Sequence, residues 1–286
     1  MEERLERLIE LGERLLAQLS HSPSNHFIDW SASAFRWHRE HGGGVLRAIA
    51  QPRTLRLQDL QGIERQKTLL ERNTRQFVAG LPANNALLWG SRGTGKSSLI
   101  KALLHHHADA GLRLIEVERS ELVDLPQIVV LLRERPERFI LFCDDLSFEA
   151  GDPGYKALKV ALDGSLDAPP DNVLIYATSN RRHLVPETMR ENQEAQVVDT
   201  ELHLGDALEE KISLSERFGL WLSFYPFNQD EYLGIVRYWL LQLGIETFDD
   251  EARADALRWA QARGTRSGRS AWQFARDLAG RSRLGE

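Results

Sequence analysis

Cysteine is almost absent: the 286 residues hold one, Cys143. A single thiol excludes an internal disulfide framework and fits a reducing compartment. Long apolar runs are missing as well. No stretch approaches the about 20 residues that a membrane span needs. Residues 1–18 are laced with Glu and Arg where a secretory leader would carry an apolar core. The expectation is a cytoplasmic protein with no membrane partner. An excess of positive charge is lacking too. Lys and Arg total 36 against 42 Asp and Glu, a net charge of −6. That excludes polyanion binding by bulk electrostatics. No internal repeat or low-complexity tract appears. What remains, 42% hydrophobic and 27% charged, is an ordinary globular composition, enough for one large or two modest domains.

Against these absences one stretch stands out. Gly90-Ser91-Arg92-Gly93-Thr94-Gly95-Lys96-Ser97 fits G-x-x-x-x-G-K-[ST] at every fixed position. Ala86–Trp89 reads as a buried strand ending at Gly90, and Ser98–Leu104 as the start of a helix. The glycines let backbone N–H groups turn inward on an anion. The helix N-terminus adds partial positive charge and unpaired donors. Lys96 is placed to reach the β- and γ-phosphates of a nucleotide, and the Ser97 hydroxyl to ligate Mg²⁺. A chance match is remote, because the strand–turn–helix context is the one the motif requires.

The rest of the chain alternates. Residues 2–19 form a helix candidate with a Leu5, Leu8, Leu15, Leu19 stripe, interrupted by Gly12. A Trp- and His-rich stretch follows. His41-Gly42-Gly43-Gly44 has the look of an oxyanion loop, but the chain lacks the G-x-S-x-G elbow, so it reads as a flexible turn. A helix is expected from Ile63 to about Phe77. Strands are expected at 112–118, 138–143, 172–177 and 218–224, with a helix near 125–133. Strands alternating with helices imply a mostly parallel sheet covered on both faces. From Asn228 the pattern is wholly helical, at about 229–243, 249–263 and 268–282.

Phe139–Asp145 is an apolar strand ending in two carboxylates. Where a P-loop lies upstream, such a pair holds Mg²⁺ and polarises water. Asp144 is assigned to the metal and Asp145 to the water, with Glu149 one turn on as a substitute. Asn180 closes the next strand and orients the water from the other side. His105-His106-His107 are consecutive and point to different sides of a helix; charge at a helix C-terminus is their plain reading. Cys143 is a core residue. Residues 251–286 hold eight Arg against four acids, which reads as surplus charge on surface helices.

The P-loop, Asp144-Asp145, Asn180, Arg217 in Ser-Glu-Arg-Phe-Gly and Arg269 in Ser-Gly-Arg-Ser-Ala together resemble an AAA+ ATPase over residues 55–282. In that family they match Walker A (Gly90 to Ser97, with Ser98 beside it), Walker B, sensor 1, the arginine finger and sensor 2. Gly62-Ile63 falls where the family holds adenine. The Asp-Asp pair and Ser-Glu-Arg-Phe-Gly-Leu-Trp-Leu are similar to the replication-initiator and helicase-loader branch. Pro-Ala-Asn-Asn-Ala-Leu-Leu-Trp-Gly and Tyr-Ala-Thr-Ser-Asn-Arg-Arg-His-Leu look closer to stand-alone bacterial AAA+ proteins of undefined role. Many relatives carry Glu at the position of Asp145, and the long polar stretch 185–214 is a second departure.

The resemblance implies an α/β fold: a five-stranded parallel sheet flanked by helices at 55–227, a C-terminal α-helical lid at 228–286 and an N-terminal helical extension at 1–54. It implies ATP and Mg²⁺ as ligands and a homo-oligomer, ring or open helix, with Arg217 reaching the neighbour's γ-phosphate and Arg269 touching it in cis. Hydrolysis would act on a protein or DNA client. No C-terminal helix-turn-helix marks DNA, and no aromatic pore loop marks protein threading. An initiator- or loader-like factor on DNA, and a nucleotide-gated scaffold with weak hydrolysis, are the alternatives.

Overall fold

The computed structural model describes residues 28–40, 43–52, 55–148, 152–163, 170–182, 184 and 214–284. The helix expected at 2–19, Glu149 and the stretch 185–213 lie outside the described residues. Apolar side chains alternate along the central strands and so sort onto two faces. In β5 (Arg138–Cys143), Phe139, Leu141 and Cys143 join one core cluster, while Ile140 and Phe142 join the other. All five are essentially inaccessible to solvent. A strand buried on both sides is what a parallel sheet between helical layers needs. Each such Leu, Ile or Phe contributes roughly 1.5–3 kcal/mol by leaving water.

The other strands are β1 (Ala34–Glu40), β2 (Gly43–Ala48), β3 (Ala86–Gly90), β4 (Leu112–Glu116), β6 (Val173–Ser179) and β7 (Leu220–Phe224). They form one sheet in the order β2-β1-β4-β5-β6-β3-β7. All neighbours are parallel except the β1–β2 hairpin at one edge. The helices are α1 (Glu64–Val78), α2 (Lys96–His107), α3 (Leu125–Leu132), α4 (Pro153–Asp163), α5 (Gln229–Gln242), α6 (Asp250–Ala262) and α7 (Gly268–Leu284). Helices α1 and α2 cover one face; α3 and α4 cover the other.

The five expected parallel strands are all present, and the sheet adds two more. Residues 34–40 and 43–48, assigned from sequence to a helical extension, are strands. The reason is a period-2 pattern: Phe35 and Trp37 are buried, while Arg36 and His38, which alternate with them, are partly exposed. Arg36 pairs with Glu116 at 2.6 Å, and Trp37 Nε1 donates to Asp124 at 3.1 Å. Thus β1 is tied to β4 by both its register and its side chains.

The C-terminal helices α5–α7 are capped where the sequence supplies caps. The Asn228 side chain accepts from the Glu231 N–H at 2.9 Å, and the Asn228 N–H donates in return to the Glu231 carboxylate at 2.8 Å. Asp249 accepts from the Ala252 N–H at 2.9 Å. Tyr232, Ala256, Ala271 and Phe274 belong to the same apolar cluster as Leu88 and Phe224 of the sheet. The helical part therefore shares a core with the strands that carry the P-loop.

Candidate functional site

Three adjacent strands deliver the chemistry to one edge. The chain register sets what meets what. Cys143 pairs with Ala177, so Asp144 lies beside Thr178. Trp89 pairs with Ser179, so Gly90 lies beside Asn180. The carboxyl ends of β5, β6 and β3 thus converge, the usual place for a ligand in an open α/β sheet.

The P-loop opens at Gly90 with φ 126°. A Cβ there would sit 2.0 Å from the Phe224 carbonyl oxygen, which accepts from the Ser91 N–H at 3.0 Å. Only glycine permits that approach. Gly93, at φ 74°, faces the first turn of α7: an added Cβ would lie 2.9 Å from Ser267 and 3.6 Å from the Arg269 Cβ. The Gly268 N–H donates to the Gly93 carbonyl at 2.9 Å. Ser267 caps α7 by accepting from the Ser270 N–H at 3.1 Å. So the helix that carries Arg269 starts against the loop itself. Arg276, two turns further along the same helix, stacks over Trp272.

Lys96 is buried in the first turn of α2, with Ser98 part-buried beside it. Its ammonium donates to the Gly90 and Ser91 carbonyls at 2.7 and 2.8 Å and to Asn180 Oδ1 at 3.2 Å. Burial pushes its pKa down to about 8, against the pull of Asp145 and Asp144. Thr94 Oγ1 donates to the Ser91 carbonyl at 2.8 Å. Gly95 caps α2, and a Cβ on it would stand 3.4 Å from Ile63 Cδ1. Ile63 is buried, and the adjoining Gly62 packs against the Phe227 ring. Of the two residues expected to seat adenine, Ile63 therefore stands beside the P-loop, and Gly62 stands beside Phe227.

The Ser97 hydroxyl donates to Asp144 Oδ1 at 2.6 Å. The Thr178 hydroxyl donates to the same oxygen at 2.5 Å and accepts from the Asp145 N–H at 2.9 Å. Asp145 adopts a left-handed backbone, φ 51°, which Asp tolerates better than most residues. Its carboxylate accepts from Asn180 Nδ2 and lies 3.9 Å from Arg92. The Asp145 side chain is 61% exposed, open to a water. Two hydroxyls and two carboxylates are hard oxygen donors, the set that suits Mg²⁺. Ser97 and Asp144 fit as its ligands because their oxygens already converge.

Thr178 escaped the sequence reading. It is almost wholly buried and bridges both aspartates. Its signal was parity: it sits two residues before Asn180 in an apolar strand, hence on the same face. A second unforeseen device holds α1 to β6 and to the turn that leads into β3. Asn73 Nδ2 donates to the Tyr176 hydroxyl at 2.9 Å and to the Asn84 carbonyl at 2.8 Å. The Thr74 hydroxyl meets Tyr176 at 3.0 Å, and burial pushes that phenol up to about 12.

Arg217 is not brought to this cluster. It precedes β7, whose Phe224 pairs with Gly90. Arg217 lies at the amino end of β7 and the P-loop at the carboxyl end of β3, about one strand length apart, roughly 17 Å. Its guanidinium pairs with Asp163 at the end of α4 and is 22% exposed.

These elements define the AAA+ P-loop NTPase fold. Solved structures of Thermotoga maritima RuvB, described as a Holliday junction branch migration motor, share it. One matches with a TM-score of 0.50 at 18% identity over 77% of this chain. A single-substitution mutant of that protein matches with a TM-score of 0.53 at 15% identity, over 81% of this chain and 67% of its own. The chain spans 63% of the first RuvB chain. More specifically, residues 30–282 match the model of the family described as Protein of unknown function (DUF815), and the chain belongs to it. No curated protein matches the sequence.

Proposed function

We propose that this chain binds Mg-ATP at the P-loop and hydrolyses it in a cytoplasmic homo-oligomer, a ring or open helix, to remodel a macromolecular client. The observation that supports this most is the convergence of Lys96, Ser97, Asp144, Asp145 and Asn180 on one sheet edge. On binding, Lys96 exchanges the Gly90 and Ser91 carbonyls for phosphate oxygens. Loop N–H groups and the α2 N-terminus add donors. Ile63 and Phe227 give adenine an apolar seat. Ser97 and Asp144 would hold Mg²⁺, which would supply positive charge to the phosphate oxygens.

Asp145 accepts a proton from the attacking water, and Asn180 orients that water. The water oxygen bonds to the γ-phosphorus as the bond to the β-bridging oxygen breaks, leaving ADP and phosphate. Arg269, at the loop, meets the γ-phosphate in cis. Arg217 is too far from its own P-loop, and its place beside edge strand β7 suits a neighbour's γ-phosphate. A role as a slow nucleotide switch is favoured by one feature, the short and exposed Asp145. For the client, DNA draws support from RuvB's description as a junction motor and from the initiator-like motifs; protein is the other class.

The test is an ATP titration. Removing the Lys96 ammonium deletes two charge-assisted contacts, each about 1.5–3 kcal/mol. Lys96→Ala is expected to lose about 10²–10⁴-fold in affinity. Undiminished affinity would remove the P-loop from the account.

A further inference from the structure

The far end of α2 carries a second cluster that the nucleotide chemistry does not use. His106 and His107 end the helix, and Glu71 faces them from α1. One ligand atom from each of the three lies within 4.8 Å of the others. His107 Nε2 stands 3.8 Å from Glu71 Oε1. In an ideal helix, neighbours such as His106 and His107 point about 100° apart. Here the backbone leaves helical geometry at His107, φ −115° and ψ 4°, and turns into a 3₁₀ segment. The two imidazoles come to 4.7 Å between centroids. The expectation that consecutive histidines point to different sides belongs to a straight helix, and at this bend His106 and His107 come together instead.

The innermost group points to a ligand. The His107 side chain is 9% exposed, and its Nε2 is buried with no hydrogen-bond partner among the described residues. A buried polar atom left without a partner costs about 1–3 kcal/mol. Glu71 and His106 also line an open cleft of about 600 Å³ between α1 and α2, which gives an ion a way in. Tetrahedral ligands at about 2.0–2.1 Å from zinc lie about 3.4 Å apart. Closing the cluster therefore takes movements of about 1 Å, within reach of the exposed His106 and the partly exposed Glu71. Arg75 also lies 3.9 Å from Glu71 Oε1, but its side chain is 67% exposed and free to swing out.

We propose that Glu71, His106 and His107 form a binding site for a zinc-class divalent transition metal, with a water-filled fourth position. Two imidazoles and one carboxylate select such ions over Mg²⁺ and Ca²⁺. The bound ion pins the C-terminal end of the P-loop helix to α1. This site is independent of the nucleotide reading.

The probe is Co²⁺, then Zn²⁺, added to the full-length, chelator-treated protein without nucleotide. Wild type is expected to bind one equivalent, to give the visible ligand-field absorption of low-symmetry Co²⁺, and to melt at higher temperature with Zn²⁺. His106→Ala and Glu71→Gln, both at sites with solvent access, are expected to fold and to lose more than about tenfold in metal affinity together with the thermal shift. His105→Ala, a neighbouring exposed histidine outside the cluster, is expected to behave as wild type. No stoichiometric binding by wild type overturns the proposal. So does binding that survives both His106→Ala and Glu71→Gln, or that falls equally in His105→Ala.

Discussion

Replacing Thr178 by Val removes one hydroxyl and keeps the side-chain shape in a strand buried on both faces. The hydroxyl does two jobs: it donates to Asp144 at 2.5 Å and accepts from the Asp145 N–H at 2.9 Å. A hydrogen bond to an ionised group contributes about 1.5–3 kcal/mol, and leaving the part-buried Asp145 N–H without an acceptor costs at most about 1–3 kcal/mol. The two losses share one site and do not add fully. The expected loss of unfolding free energy is about 2–4 kcal/mol, read by urea titration. Turnover is expected to fall about 10–100-fold, the usual effect of removing a group that orients a metal ligand. Thr178→Ser keeps the hydroxyl and is expected to recover most of both. A valine variant within about twofold of wild type in turnover, with unchanged stability, would refute the assignment of Thr178 as the positioning residue of the aspartate pair.

The remaining predictions concern the same cluster. Asp144→Asn is expected to weaken Mg²⁺-dependent ATP binding by roughly tenfold or more, since one hard anionic ligand is lost; calorimetry with and without Mg²⁺ reads it. Asp145→Asn is expected to bind ATP and leave it uncleaved. Were Glu149→Gln to stop turnover while Asp145→Asn did not, the water would belong to Glu149. ATP affinity is also expected to depend on pH through Lys96, which faces Asp144, Asp145 and Arg92 and has a pKa near 8 in the nucleotide-free protein. Phosphates keep the ammonium charged in the complex, so above pH 8 the complex holds the extra proton. Affinity is therefore full below pH 8 and falls by up to about tenfold per unit above it. A flat profile between pH 7 and 10 would contradict a titrating Lys96.

The legible parts of the fold were those with strong local signals. The strand–glycine–helix at Ala86–Leu104, the apolar Phe139–Cys143 and the capped helices after Asn228 all announced themselves by periodicity or caps. The β1–β2 hairpin did not. Its buried Phe35 and Trp37 are interleaved with Arg36 and His38, whose partners Glu116 and Glu121 lie about 80 residues away. Such a strand is recognised by its neighbour, not by its own composition. Within the site, residues fixed by a motif were readable: Lys96, Ser97 and Asp144. Thr178 was not, because its importance comes from register, which places it beside Asp144 only once β5 and β6 pair. The approach of His106 to His107 was not legible for a related reason, since helical spacing says nothing about the bend at His107. Arg217 and its partner Asp163 are separated by 53 intervening residues, and nothing in either local sequence announces that pairing.

The central claim, a nucleotide site completed by a neighbouring subunit, is tested most directly by mixing two inactive variants. If the site is shared, Lys96→Ala lacks a working P-loop and Arg217→Ala lacks the residue offered to the neighbour. Known fingers contribute about 10³–10⁵ in rate, so Arg217→Ala is expected to bind ATP nearly normally and cleave it far more slowly. In co-assembled mixtures some interfaces join an intact P-loop from one chain to an intact Arg217 from the other. Steady-state ATP hydrolysis is expected to return in part on mixing. If the variants demonstrably co-assemble and hydrolysis stays at the level of each alone, Arg217 does not complete a neighbour's site and the shared-site account is wrong.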